Sequence, residues 1–141
     1  MTNLPPELVA AIWYREADLR DGVYLHNGQT LGQVTTIVPK GKYFEDFDEA
    51  AKDALSDTYY RSMCPGITSS TSDLALMCIF AETYNGLGYR KQGLSSAYVM
   101  ASTTKAPNGR YSSDGNFVAE TDQRLGTYVI MRELLNQKTL R

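Results

Sequence analysis

Leu8, Ile12 and Glu16 stand four residues apart, so in a helix they share one ridge, and an apolar stripe that enters the core ends in a carboxylic acid. A carboxyl pressed against apolar surface is costly to ionise. It keeps its proton to higher pH and becomes a proton donor of the kind that cleaves an acetal. The competing reading is a carboxylate at a helix end that reaches solvent or pairs with Arg15 or Arg20. Glycoside cleavage of the usual type needs a second carboxylate, about 5–5.5 Å from the acid in retaining enzymes and about 6.5–9.5 Å in inverting ones. Asp18 and Asp21, just past the ridge, and Glu82, on the Leu74 and Cys78 stripe of a later helix, are the carboxylates on offer. Thr35 and Thr36 add hydroxyls that could position a water. Each also has a structural reading: solvated turn residues for the aspartates, an ion pair with Arg90 or Lys91 for Glu82, and β-propensity for the threonines.

Other chemistries are thinly supplied. The single histidine, His26, is too little for most zinc sites and for the imidazole-dependent serine and thiol hydrolases, so neither a metal nor an organic cofactor is expected. Lys and Arg number 14 against 16 Asp and Glu, a formal charge of -2 that lacks the basic face of a nucleic-acid binder. No window approaches the ~18 apolar residues that span a bilayer. Cys64 and Cys78 are too few for a disulfide framework; they are free thiols in a reducing compartment, or one bridge outside the cell. The ten tyrosines either line a ligand groove or ring the core as amphipathic packing residues.

The elements that must position these groups follow from periodicity and turn chemistry. The 141 residues suit one domain, 1–141, large enough to bury a core of its own. Pro5 and Pro6 open a first helix over 5–17. Residues 22–41, with Asn27-Gly28 and the β-prone run Val34-Thr35-Thr36-Ile37-Val38, read as a small hairpin or irregular β segment. A second amphipathic helix is expected over 44–61, ended by Pro65-Gly66. Ser70-Thr71-Ser72-Asp73 caps a third, carrying Leu74, Met77, Cys78, Ala81 and Asn85 on one face and stopped by Gly86 and Gly88. Turn signals at 105–110 and at Ser113-Asp114-Gly115-Asn116 bracket a short extended piece, and a last helix is expected over 123–137. The class is α+β, mainly α.

Within this frame, Tyr84-Asn85-Gly86 at the end of the third helix resembles the Ala-Tyr-Asn-Ala-Gly segment of lytic transglycosylases and goose-type lysozymes. Those families also carry their acid at the end of an earlier amphipathic helix, where Trp13-Tyr14-Arg15-Glu16 stands here. Tyr24-Leu25-His26-Asn27-Gly28 and Gly109-Arg110-Tyr111-Ser112-Ser113-Asp114-Gly115 resemble segments of the lysozyme-like domains of bacteriophage cell-wall hydrolases. The likeness covers most of 4–135 and implies a lysozyme-like helical domain with a small β-hairpin. It implies Glu16 as general acid, Tyr84 as its hydrogen-bond partner, Asn85 as a contact to an N-acetyl sugar and Tyr89 beside them on the substrate.

The activity so implied is cleavage of the β-1,4 bond between N-acetylmuramic acid and N-acetylglucosamine, by a monomer acting on peptidoglycan glycan strands. One departure is plain: transglycosylases follow their glutamate with serine and later carry Gly-Leu-Met-Gln, whereas this chain has Ala17 and Gln29-Thr30-Leu31-Gly32-Gln33. Ala17 and the polar groups near Glu16 favour hydrolysis; Glu16 acting alone would give a 1,6-anhydro product. A chitinase and a non-catalytic wall-binding or virion module are the other readings. Wall amidases and endopeptidases fit poorly, because zinc types need more histidines and thiol types place Cys before His, whereas His26 precedes Cys64. The N-terminus, Met1 to Glu7, has no secretory pattern. The expectation is an endolysin made in the host cytoplasm and released to the wall by a phage lysis system, with a secreted effector as the other route.

Overall fold

The structure, a computed structural model, describes residues 2–112 and 115–139. Met1, Ser113 and Asp114 therefore lie outside the described residues, and with the last two goes part of the Ser113-Asp114-Gly115-Asn116 turn. Seven helices and one two-stranded antiparallel sheet make up the regular structure among the described residues, an α+β fold that is mainly α.

Helix α1, Pro6–Ala17, begins with a proline in its first turn and buries Leu8, Ala11, Ile12 and Arg15. It packs chiefly on α7, Thr127–Thr139, and also on α4, Leu74–Asn85. Between these three helices lies the core, built on Leu8, Ile12, Met77, Phe80, Tyr98 and Met131. α1 ends where Asp18 and Leu19 adopt left-handed backbone at φ 53° and 56°. Helix α4 starts at Asp73, whose side chain accepts from the Leu76 N–H, and stops at Gly86, whose φ of 108° suits glycine alone.

The β-prone run Val34 to Val38 forms no strand. Residues 22–41 contain one isolated bridge, Val23 to Thr30. The Gln29 side-chain oxygen accepts the backbone N–H groups of Thr36 and Ile37, at 2.9 and 3.1 Å, and so takes the donors that a ladder would need. Tyr24, fully buried, ties the loop down: its hydroxyl donates to the Gln33 carbonyl and accepts from the Phe44 N–H, each at 2.8 Å. The helix expected over 44–61 is two, α2 at Phe47–Leu55 and α3 at Thr58–Ser62. Asp57 interrupts it, with extended backbone and a side chain that accepts from the Tyr59 N–H.

Gly88 does not end a helix; it opens α5, Gly88–Lys91, and α6, Ala97–Met100, follows. The one described sheet lies later than the expected hairpin, in the segment read as a short extended piece. Strands β1, Arg110–Tyr111, and β2, Phe117–Val118, pair with Arg110 opposite Val118. The last helix starts at Thr127 and not near 123, because the residues before it pack as irregular chain. There Gly126 lies so close to α6 that an added Cβ would stand 2.2 Å from the Val99 carbonyl oxygen.

Candidate active site

Glu16 occupies the last turn of α1, half-buried, where the helix meets the end of α4 and the start of α6. Its carboxylate Oε1 accepts a hydrogen bond of 3.0 Å from the hydroxyl of Tyr98, a residue 5% exposed. Loss of solvation raises the carboxyl above its ordinary 4.5, against the opposing pull of the Tyr98 hydrogen bond and the charges of Arg15 and Arg124. Burial wins, so the apolar ridge delivers a carboxyl whose pKa lies above the ordinary value.

Two open cavities meet at this acid, one of about 750 Å³ and one of about 670 Å³, and both are lined by Glu16 and Asn85. The first carries Arg15, Arg110 and Arg124 with Tyr89 and Tyr111; the second carries His26, Lys42, Asp53, Asp57, Tyr60 and Tyr84. We treat the two as halves of one groove, because Glu16 and Asn85 belong to both linings. The first half contains a buried ion pair, Arg15 to Asp122 at 2.7 Å with side chains 2% and 4% exposed, and Arg15 also donates to the Leu125 carbonyl. Arg124 reaches the same Asp122 at 3.4 Å, so one carboxylate serves two guanidinium groups. Tyr89 and Tyr111 meet edge to face with centroids 4.9 Å apart, and the Tyr89 hydroxyl accepts from the Tyr111 N–H.

The expected site residues divide clearly. Asn85, Tyr84 and Tyr89 line the groove with Glu16. The hydrogen bond to Glu16 that the resemblance implies for Tyr84 is made by Tyr98 instead. Tyr84 still senses the acid, since burial first and the Glu16 charge second raise its phenol well above 10.0. Asp18 and Asp21 are exposed in the turn beyond α1 and line neither half, because the left-handed backbone at 18 and 19 turns the chain away. Glu82 is ion-paired with Arg90 and lines a separate cavity with Cys78. The Thr35 hydroxyl is spent inside its loop, donating to the Pro39 carbonyl and accepting from the Lys42 N–H, and the Thr36 hydroxyl accepts from the Gln29 amide.

Sequence reasoning missed Tyr98, the Arg15–Asp122–Arg124 cluster and the trio His26, Lys42 and Asp53. Asp53 falls off the apolar stripe of α2, and Tyr98 stands in a four-residue helix too short to show a period, so neither had a local signal. Both cysteines are free thiols whose pKa values burial raises, that of Cys78 to about 11, and neither lines the groove. Among the described residues, no group of three or more His, Cys, Asp or Glu side chains is arranged to hold a metal ion. No family model, curated protein or solved structure matches the chain.

Proposed function

We propose that this protein is a glycosidase that cleaves the β-1,4 bond of peptidoglycan between N-acetylmuramic acid and N-acetylglucosamine, with Glu16 as the general acid. The observation that carries the reading is the position of a carboxyl with a raised pKa at the junction of the two halves of an open groove. A polymer laid along such a groove presents an internal linkage, not an end, to the acid. Glu16 protonates the glycosidic oxygen, Tyr98 fixes its carboxyl, and Asn85 offers an amide to the N-acetyl group beside the bond.

The charge in the groove favours peptidoglycan over chitin. Arg110 and Arg124, with side chains 31% and 48% exposed, line one half beside the buried Arg15; Arg110 pairs with Glu120 at 3.0 Å, and Arg15 and Arg124 share Asp122. Chitin is uncharged, whereas muramyl sugars and their peptides carry carboxylates that guanidinium groups bind well. The test is product release from purified peptidoglycan and from N-acetylglucosamine oligomers side by side. Soluble muropeptides with little chitin cleavage support the reading; equal or greater cleavage of the oligomers makes the protein a chitinase. Binding to the wall with no bond broken makes it a non-catalytic module.

A further inference from the structure

An acid alone does not hydrolyse a glycoside; a second group must take a proton from the attacking water. Besides Glu16, two carboxylates line the second half of the groove, Asp53 and Asp57. Asp57 is committed elsewhere, because its Oδ1 caps α3 by accepting the Tyr59 N–H at 2.8 Å. Asp53 caps nothing. It projects from α2 and is gripped by two donors from the preceding loop, His26 Nε2 at 2.8 Å from Oδ2, and Lys42 Nζ at 3.1 Å from Oδ1 and 3.0 Å from Oδ2. An ionised carboxylate offers about four lone-pair sites, so this grip leaves room for a water. With its side chain 28% exposed, Asp53 is open to one.

We infer that Asp53 is the base that activates the attacking water, and that His26 and Lys42 are positioning residues that aim it. The inference rests on the glycosidase reading of Glu16. Asp53 accepts only, so His26 donates to it from Nε2 and turns its Nδ1 to the interior. That Nδ1 is buried with no partner among the described residues, and the ring, 5% exposed, is wedged between Tyr24 and Phe44. Packing of the buried ring against Tyr24 and Phe44 fixes the direction from which Nε2 grips Asp53, as an aimed carboxylate requires. The titration behaviour agrees. Burial alone would raise Asp53, but hydrogen bonds and charge from His26 and Lys42 outweigh it and hold the carboxyl below 3.8, while Glu16 is raised above 4.5. Two carboxyls in one groove half whose environments push them apart divide into a base and an acid.

In the step itself the water gives one proton to the Asp53 carboxylate as its oxygen bonds to the anomeric carbon. The glycosidic C–O bond breaks, its electron pair stays on the leaving oxygen, and that oxygen takes the Glu16 proton. The product gains one water and ends in a reducing sugar; exchange of protons with solvent restores both carboxyls. Without the base, the sugar's own hydroxyl is the nucleophile left, and the product is the 1,6-anhydro form, lighter by one water.

The test is mass spectrometry of muropeptides released from purified peptidoglycan by the wild type, Glu16→Gln, Asp53→Asn and Asp53→Glu, with a thermal melt of each. The wild type is expected to give reducing muramyl ends, and Glu16→Gln no products. Asp53→Asn is expected to lose at least about 100-fold of the reducing product, with its residual product shifted toward anhydro ends, a shift that structural damage would not cause. Should Asp53→Asn fail to fold, Asp53→Glu, which keeps the charge but moves it by one methylene, should show the same loss and shift. Wild-type rates and products in a folded variant overturn the role of Asp53, as does an equal fall in both products. Anhydro ends from the wild type overturn Asp53 but leave Glu16 standing, whereas wild-type activity in Glu16→Gln removes the reading on which both depend.

Discussion

In the proposed reaction Glu16 holds a proton close to two guanidinium groups, and Tyr98 bears on that conflict. Desolvation raises the carboxyl, while the Tyr98 hydroxyl, hydrogen-bonded to it at 3.0 Å, lowers it again. Activity that depends on the protonated acid falls as pH rises through this raised value, which makes Glu16 the alkaline limb of the pH–rate profile. Removing the hydroxyl with Tyr98→Phe takes away the lowering contribution, so the limb should move to higher pH even as the rate falls from loss of positioning. A profile of wall clearing against pH checks this, and a limb that stays still or moves down would show that Tyr98 does not touch the working acid. The place of Glu16 on the Leu8 and Ile12 ridge was legible because helical spacing alone puts it there. Its partner was not. Which of the two tyrosines, Tyr84 or Tyr98, reaches the carboxyl depends on how α6 lies beside α1, a tertiary matter invisible in either local sequence.

At the scale of elements, a latch between α1 and the chain before α7 keeps the groove in shape. Arg15 and Asp122 lie 2.7 Å apart with side chains 2% and 4% exposed, and Arg15 Nε has no partner among the described residues. Replacing one member of a buried pair leaves the other as an uncompensated charge, which costs about 3–5 kcal/mol. Asp122→Asn should therefore lower stability by about that amount in chemical denaturation; a loss under about 1 kcal/mol would mean that the pair is not a latch. The same segment explains what could and could not be read beforehand. Helices α1 and α4 announce themselves by proline or a capping aspartate, by apolar spacing, and by a left-handed or glycine stop. Leu125 continues the apolar spacing of Tyr128 and Val129 in sequence, but residues 122–126 are held out of α7 by Arg15 and by the close approach of Gly126 to Val99. Val34 to Val38 have the composition of a strand, yet the Gln29 side chain occupies the N–H groups that pairing would use.

Over the whole molecule, the ionisable groups that shape the groove also set its stability with pH. Asp53 and Asp122 are both held below 3.8 despite the burial that opposes it, by hydrogen bonds and charge from His26 and Lys42 in one case and from Arg15 and Arg124 in the other. Their contribution is complete above 3.8, the unfolded value, and is lost as pH falls from there through the lower folded values. Glu16 runs the other way: its contribution is complete below 4.5 and is lost as pH rises through its raised folded value. Denaturant midpoints should thus drop steeply below about pH 4, and Asp122→Asn should flatten that drop; an equal drop in the variant would assign it to other groups. The global class, α+β and mainly α, followed from periodicity and turn chemistry. The groove did not, because its halves are assembled from α1, α2, the 22–46 loop, the end of α4 and the β1 hairpin, which meet only in the folded chain. On the proposed glycosidase reading, what the molecule does with that groove turns on one proton. Wild-type protein and Glu16→Gln, matched in melting temperature, should be compared for the rate at which they release reducing ends from purified peptidoglycan. The wild type should clear the wall and Glu16→Gln should be slower by at least about 100-fold; a folded Glu16→Gln that clears it at the wild-type rate would contradict Glu16 as the acid.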